Sequence, residues 1–327
     1  MLDPTQSPVI RDAFTYDRRR WIARATTTTA GICLASQYCP PTFGQDEQEI
    51  PEPQTLPLIT KDGVTLQATY YPGLHGKKSI PLVLVHDFRG NRNEFAPLAL
   101  YLQKQGGYAI VSVDLRGHGE SNRLRLPNGT EKTFTPEELK PADFEKMISM
   151  DLERVKKFLV EKNNEEQLNV NQTGVIAAGP MGACLALNWT QRDWNWPDVA
   201  GQKQGRDVQG MVLLSPGLTF KNLKTADAIK AVGGLSTMLV GGSVEPDMKK
   251  LHSTLKPRHP AESADPEENR KQQSLWIVQE ETEAKGVLLF KAVGVPLANK
   301  VNYFLKLRFT EQADKFAWSE RKKPVGN

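Results

Sequence analysis

Apolar and polar positions along the middle of this chain fall into an ordered series of short patterns. Ile59 to Tyr70 carries two alternating stretches around Asp62-Gly63, which predicts two strands joined by a tight turn. Pro81-Leu82-Val83-Leu84-Val85-His86 is apolar almost throughout, as in a parallel strand covered on both faces. Phe95, Leu98, Ala99 and Leu102 then recur at helical spacing. Tyr108 to Val113 is the next buried strand, ending at Asp114, and Phe144, Ile148, Leu152, Val155 and Leu159 mark one helix face. A strand over 173–178 leads into a helix over 181–191, and further strands are predicted at 211–214, 237–240 and 287–293. Ser274 to Gln279 reads either as an extra strand hairpinned onto 287–293 or as a short helix. An amphipathic helix covers 297–308. Strands alternating with helices predict an α/β fold, with a mostly parallel central sheet of about eight strands and helices on both faces. Residues 256–272, polar and rich in Pro and Glu, read as an insertion or mobile loop.

The 327 residues are 39% hydrophobic and 24% charged, which suits one large α/β domain with tails, or two small domains. The domain is placed at 56–310, after a linker at 45–55 and before a polar tail at 311–327. Ahead of the linker, Arg18-Arg19-Arg20-Trp21-Ile22 precedes a weakly apolar stretch that contains Thr26 to Thr29. Residues 1–44 therefore read as a twin-arginine-like export signal or as a disordered leader. The first reading sends the protein to the periplasm or beyond; the second leaves it in the cytoplasm. Net charge is only +4, from 42 basic and 38 acidic residues, and no basic stripe suggests nucleic acid as a partner. Cys33, Cys39 and Cys184 make neither a disulfide framework nor a zinc pair. His252 and His259 lack nearby Cys or paired carboxylates, so neither metal nor cofactor is expected. No apolar run approaches the roughly 18 residues of a transmembrane helix.

Candidate chemistry sits at the ends of the buried strands. Val175-Ile176-Ala177-Ala178-Gly179-Pro180-Met181-Gly182-Ala183 has the strand, turn and helix context of a G-x-S-x-G nucleophile elbow. His86-Asp87-Phe88-Arg89-Gly90-Asn91 and Asp114-Leu115-Arg116-Gly117-His118-Gly119-Glu120-Ser121 each follow another buried strand. With these three anchors in this order, the chain resembles the α/β-hydrolase superfamily over residues 56–308, in particular its lidless esterase-like and serine-aminopeptidase-like members. The resemblance implies substrate at the carboxyl ends of the strands. It also implies a Ser-His-acid triad with backbone N–H groups holding the oxyanion. The short segment between Gly217 and Ser236 leaves no room for a large lid.

Position by position, the triad implied by the resemblance is degenerate. With Ala178 and Gly182 on the two motif glycines, Pro180 takes the nucleophile's place. Proline has no hydroxyl, no N–H and φ held near about −65°. Glu245 stands where the acid belongs, or else caps a helix starting at Pro246. Val295 stands where a G-x-G-H-G-like turn would carry the base, and no His follows His259. Where the family often has His-Gly, this chain has His86-Asp87, and a carboxylate there opposes a developing oxyanion. Met181 retains one N–H donor. Cys184 reads as a core thiol, and His86 and His118 as structural residues meeting at the mouth of the site. Trp194-Asn195-Trp196-Pro197 reads as a partner surface or as packing against the body.

The expectation is a pseudoenzyme: a non-catalytic α/β-hydrolase-fold protein. Its pocket, rimmed by His86, Asp87, Phe88, Met181, Ser215 and Glu245, would bind a small ligand or a protein partner. The alternative is a working hydrolase with a relocated nucleophile, such as Ser215 activated by His86 or His118. That requires a hydroxyl within about 3.2 Å of a His nitrogen, facing a cavity. A third reading is a structural partner protein whose pocket is closed by Met181 and Val295.

Overall fold

The computed structural model describes residues 49–321, apart from 127, 200, 202 and 262. The leader expected at 1–44, with Cys33 and Cys39, lies outside the described residues. Strands β1 (Gln54–Ile59) and β2 (Val64–Tyr71) form the predicted hairpin, its turn closed by a Val64 N–H donated to Thr60 Oγ1 at 2.9 Å. β1 thus begins inside the segment assigned to a linker. β3 (Pro81–Val85), helix α1 (Ala96–Gly106) and β4 (Ala109–Val113) follow as expected. A short hairpin, β5 (Arg123–Arg125) and β6 (Glu131–Thr133), was not predicted: its residues are mostly charged and exposed, without apolar alternation.

The helix expected from Phe144 to Leu159 is two helices, α2 (Pro141–Lys146) and α3 (Leu152–Asn164), joined through a wider π turn at Met147–Asp151. That turn presents Asp151, fully buried, to Arg116, whose backbone N–H and guanidinium both donate to it. Next come β7 (Thr173–Ala178), α4 (Gly179–Trp194) and β8 (Val208–Leu214). A small ribbon, β9 (Thr219–Phe220) and β10 (Leu223–Lys224), precedes α5 (Ala226–Val232). β11 (Ser236–Gly241), α6 (Pro246–Leu255), α7 (Pro266–Gln272) and β12 (Leu275–Gln279) lead to α8 (Leu288–Val293) and α9 (Val295–Arg308).

The main sheet has ten strands rather than about eight, in the order β12-β11-β8-β7-β3-β4-β2-β5-β6, with β1 also on β2. β3, β4, β7, β8, β11 and β12 run parallel; the other strands are antiparallel. Alternate side chains of the parallel strands face opposite layers. Leu82, Leu84, Ile176, Val212 and Met238 pack with residues of α1, α8 and α9. Val83, Val85, Val175, Met211 and Leu239 pack with residues of α3, α4 and α6.

Four expectations are corrected here. Residues 287–293 form α8, not a strand. Seven nearly unbroken apolar residues do not reveal their period, and only Leu289 among them is fully buried. The strand at 275–279 therefore pairs in parallel with β11 instead of folding back as a hairpin. The polar stretch 256–272 includes α7, capped by Asp265, which accepts the Glu267 N–H at 2.9 Å. The described part of the segment assigned to a tail, residues 311–321, lies against the body. Arg321, 8% exposed, donates to Asn171 Oδ1 at 2.8 Å and pairs with buried Asp207.

Candidate functional site

The strand-to-helix turn at the end of β7 is an elbow, and its apex is Gly179. Gly179 has φ +68°, between Ala178 in extended conformation and the first turn of α4. Proline cannot adopt a positive φ, so the strained position falls one residue earlier than the sequence register placed it. Pro180 is exposed at the rim. Gly182 lets α4 close onto β3, where an added Cβ would stand 2.9 Å from the Val85 carbonyl oxygen.

The space that a side chain at the apex needs is already filled. A Cβ on Gly179 would lie 2.0 Å from Asp87 Cγ and Oδ2. Asp87 follows β3, and its Oδ1 accepts the Met181 N–H at 3.0 Å. Burial raises the Asp87 pKa, against the N–H groups of Phe88 and Met181, which favour the carboxylate. The positive end of α4 acts in the same sense. The one backbone donor that the sequence left to the oxyanion is thus occupied by an internal carboxylate, and Pro180 beside it has no N–H to offer.

Glu245 follows β11 as the residue before α6, yet its side chain makes no cap hydrogen bond. It is 6% exposed, and its Oε1 has no hydrogen-bond partner among the described residues. The base position moves with the correction to the last strand. After β12 the turn reads Thr282-Glu283-Ala284-Lys285-Gly286, and matching its final glycine to the G-x-G-H-G-like turn puts Lys285 where His is expected. The Ser243 N–H donated to the Thr282 carbonyl at 2.8 Å ties this turn to the β11 loop. A Cβ on Gly286 would be 3.7 Å from the Gly179 nitrogen, so the turn does reach the elbow. Val295 is instead 59% exposed at the start of α9. Gly179 and Lys285 are the positions that the sequence reading missed. The requirement for a positive φ at the apex, and the lysine-glycine pair after the last strand, were the available signals.

These elements enclose a cleft of about 800 Å³. Four of the six expected pocket residues line it: Asp87, Phe88, Ser215 and Glu245. His86 and Met181 are fully buried behind the wall. Since neither Met181 nor Val295 intrudes, the cleft stays open. Leu98, Pro180, Val287, Leu288 and Phe290 give it apolar surface, and Glu94, Asp247, Lys285 and Lys291 add charge at the rim.

The histidines are committed elsewhere. His86 Nδ1 meets the Asp87 carbonyl at 2.7 Å, so it carries the proton, and Nε2 accepts the Leu115 N–H at 3.0 Å. Burial beside His118 pushes the His86 pKa down to about 3. His118 Nδ1 bonds to the Arg116 carbonyl at 3.0 Å. Ser215, at φ +47°, accepts the Gly286 N–H on its Oγ at 3.0 Å. Among the described residues no Ser, Thr or Cys side chain is hydrogen-bonded to His86 or His118, so the relocated Ser-His pair is not assembled. Cys184 is a buried thiol whose pKa burial raises to about 12. The tryptophan loop packs on the body: Trp194 Nε1 donates to the Val208 carbonyl at 2.8 Å, and Arg192 lies 4.8 Å over Trp196. Among the described residues no three His, Cys, Asp or Glu side chains converge as metal ligands would, and no helix is long and apolar enough to cross a membrane.

The sequence profile of the family described as serine aminopeptidase, S33, matches residues 77–284, more than half of the chain. Among solved structures, an esterase of Pyrococcus furiosus has a TM-score of 0.55 at 15% identity, covering 79% of this chain and 93% of that one. A highly thermostable carboxyl esterase from Bacillus coagulans has a TM-score of 0.53 at 9% identity, covering 79% and 99%. An alpha/beta hydrolase from Novosphingobium aromaticivorans has a TM-score of 0.53 at 10% identity, covering 79% and 100%. No curated protein sequence matches the chain. At these identities the structural likenesses establish the fold alone.

Proposed function

This chain belongs to the serine aminopeptidase S33 family of the α/β-hydrolase superfamily, and within it we propose a non-catalytic protein whose cleft holds a small ligand. The observation that carries this reading is Gly179 at the elbow with the Asp87 carboxylate in the place of its missing side chain. Covalent acyl transfer needs a nucleophile at that point and a donor pair for the oxyanion. Here the apex has no side chain, Pro180 has no N–H, and the Met181 N–H is spent on Asp87. Loss of one oxyanion donor typically costs about 3–4 kcal/mol of transition-state stabilisation. A like charge about 4 Å away opposes the oxyanion by about 4 kcal/mol at an effective dielectric near 20. Both effects act against the reaction. Lys285, a donor without an acceptor lone pair, stands where an imidazole would take the proton.

The open cleft with convergent polar groups favours a small ligand over a partner that merely covers the site. The test is hydrolysis of 4-nitrophenyl butyrate by the native protein beside an Asp87→Gly/Gly179→Ser/Lys285→His variant. Native protein is expected at buffer background, with turnover emerging in the triple variant. Turnover by native protein in proportion to its concentration overturns the reading. Its loss in Ser215→Ala would then place the nucleophile at Ser215.

A further inference from the structure

We propose that the cleft takes an organic cation with an apolar body, its ammonium group seated on Glu245. The proposal rests on the non-catalytic reading of the same cleft. Glu245 lines the cleft at 6% exposure, and its Oε1 is without a hydrogen bond. No Lys, Arg or His nitrogen among the described residues lies within 4.0 Å of its carboxylate. A carboxylate withdrawn from water demands a cation or several donors, and the α6 N-terminus beside it does not supply them through a cap.

The surroundings select the kind of cation. Asp87 on the cleft floor and Asp247 in the first turn of α6 add negative potential on the Glu245 side. Arg89 is committed to Glu137 at 2.8 Å, and Lys285 and Lys291 are exposed. A bare metal ion lacks ligands, since no group of three suitable side chains converges there among the described residues. An anionic ligand would meet Asp87, Glu245 and Asp247 together. A neutral ligand can donate a hydrogen bond to Glu245 but leaves its charge without a counter-charge. The remaining walls are Phe88, Pro180, Val287, Leu288 and Phe290, with Leu288 60% exposed, and they suit an aromatic or alkyl substituent. The Phe88 ring already lies 5.5 and 5.6 Å from Arg89 and Lys221, which leaves the Phe290 ring to attract a cation. A volume of about 800 Å³ accommodates a molecule well beyond a simple alkylamine.

The experiment is calorimetric titration of the full chain with benzylammonium, benzyl alcohol and benzoate. Benzylammonium is expected to bind at least ten-fold more tightly than the alcohol, with benzoate weakest. Glu245→Gln is expected to erase the preference for ammonium while leaving the alcohol's affinity unchanged. Lys285→Ala is expected to preserve or tighten benzylammonium binding. A matching circular dichroism spectrum and melting temperature for each variant guards against misfolding. Equal affinity for ammonium and alcohol, tighter binding of benzoate, insensitivity to Glu245→Gln, or no binding of any of the three overturns the proposal. Ester hydrolysis measured on the same preparations separates the two readings. Background hydrolysis with failed ammonium binding overturns the ligand class alone, whereas hydrolysis by native protein overturns the non-catalytic reading.

Discussion

Replacing Gly179 with alanine probes the contact on which the functional reading turns. The new Cβ sits at φ +68°, where an L-residue costs about 1–2 kcal/mol. It also falls 2.0 Å from Asp87 Cγ, so the carboxylate must leave. Asp87 then loses its bond from the Met181 N–H, a charge-assisted contact worth about 1.5–3 kcal/mol. Against these, removing a glycine stiffens the unfolded chain and returns about 0.4–1 kcal/mol. The net expectation is a loss of about 2–4 kcal/mol. In an Asp87→Gly background the collision is absent, only the backbone strain remains, and the same substitution should cost about 1 kcal/mol or less. Urea unfolding of the four proteins, followed by tryptophan fluorescence, closes the double-mutant cycle. A coupling of about 1.5–3 kcal/mol is expected; additivity within about 0.5 kcal/mol would mean that Asp87 does not occupy the apex, and the argument built on it would fail.

Three further outcomes follow from the same structure. The folded pKa of His86, about 3, lies below its unfolded value near 6.5, so the unfolded chain takes up the proton first and stability falls as pH drops from about 6.5 toward 3; His86→Gln should flatten that slope in melting temperature, and an unchanged slope refutes the assignment. Arg321→Ala should cost about 1–3 kcal/mol by urea midpoint, less than an isolated buried pair, because Lys156 and Lys203 stay within 3.3 and 3.2 Å of Asp207; a cost below about 0.5 kcal/mol would show that the Arg321–Asp207 pair adds nothing to the fold. We propose export through the N-terminal segment, and protein recovered from the native host should then begin near Gln45; an intact Met1 or Leu2 terminus throughout removes that proposal.

The parallel strands were legible because each is apolar on both faces, so Leu82 to Val85, Ile110 to Val113 and Val175 to Ala178 announce themselves without tertiary information. The β5–β6 hairpin was not, since Arg123, Arg125, Glu131 and Lys132 carry no apolar period. Residues 287–293 misled for the opposite reason: a run apolar at every position but Lys291 fits helix and strand alike, and reading it as the last strand drew the expected base position to Val295. At the elbow the motif was found, but glycine spacing chose Pro180 where backbone geometry requires Gly179. Asp87 was read as an electrostatic obstacle to catalysis. That its carboxylate also fills the apex depends on how closely β3 and α4 approach, and no local pattern encodes that distance. The same holds for the orphaned oxygen of Glu245, whose sequence position before Pro246 suggested an ordinary cap.

The carboxylate lodged beneath Gly179 also imposes a direction on how sequences of this kind can change one residue at a time. A serine at 179 and an aspartate at 87 compete for one volume, so an intermediate carrying both is the least stable of the four combinations. On the non-catalytic reading proposed above, a descent through stable proteins would shed the side chain at 179 before the carboxylate entered at 87. Its reversal has to run backwards through the same gate: Asp87 must go first, in a step that brings no chemistry with it, before a nucleophile can return.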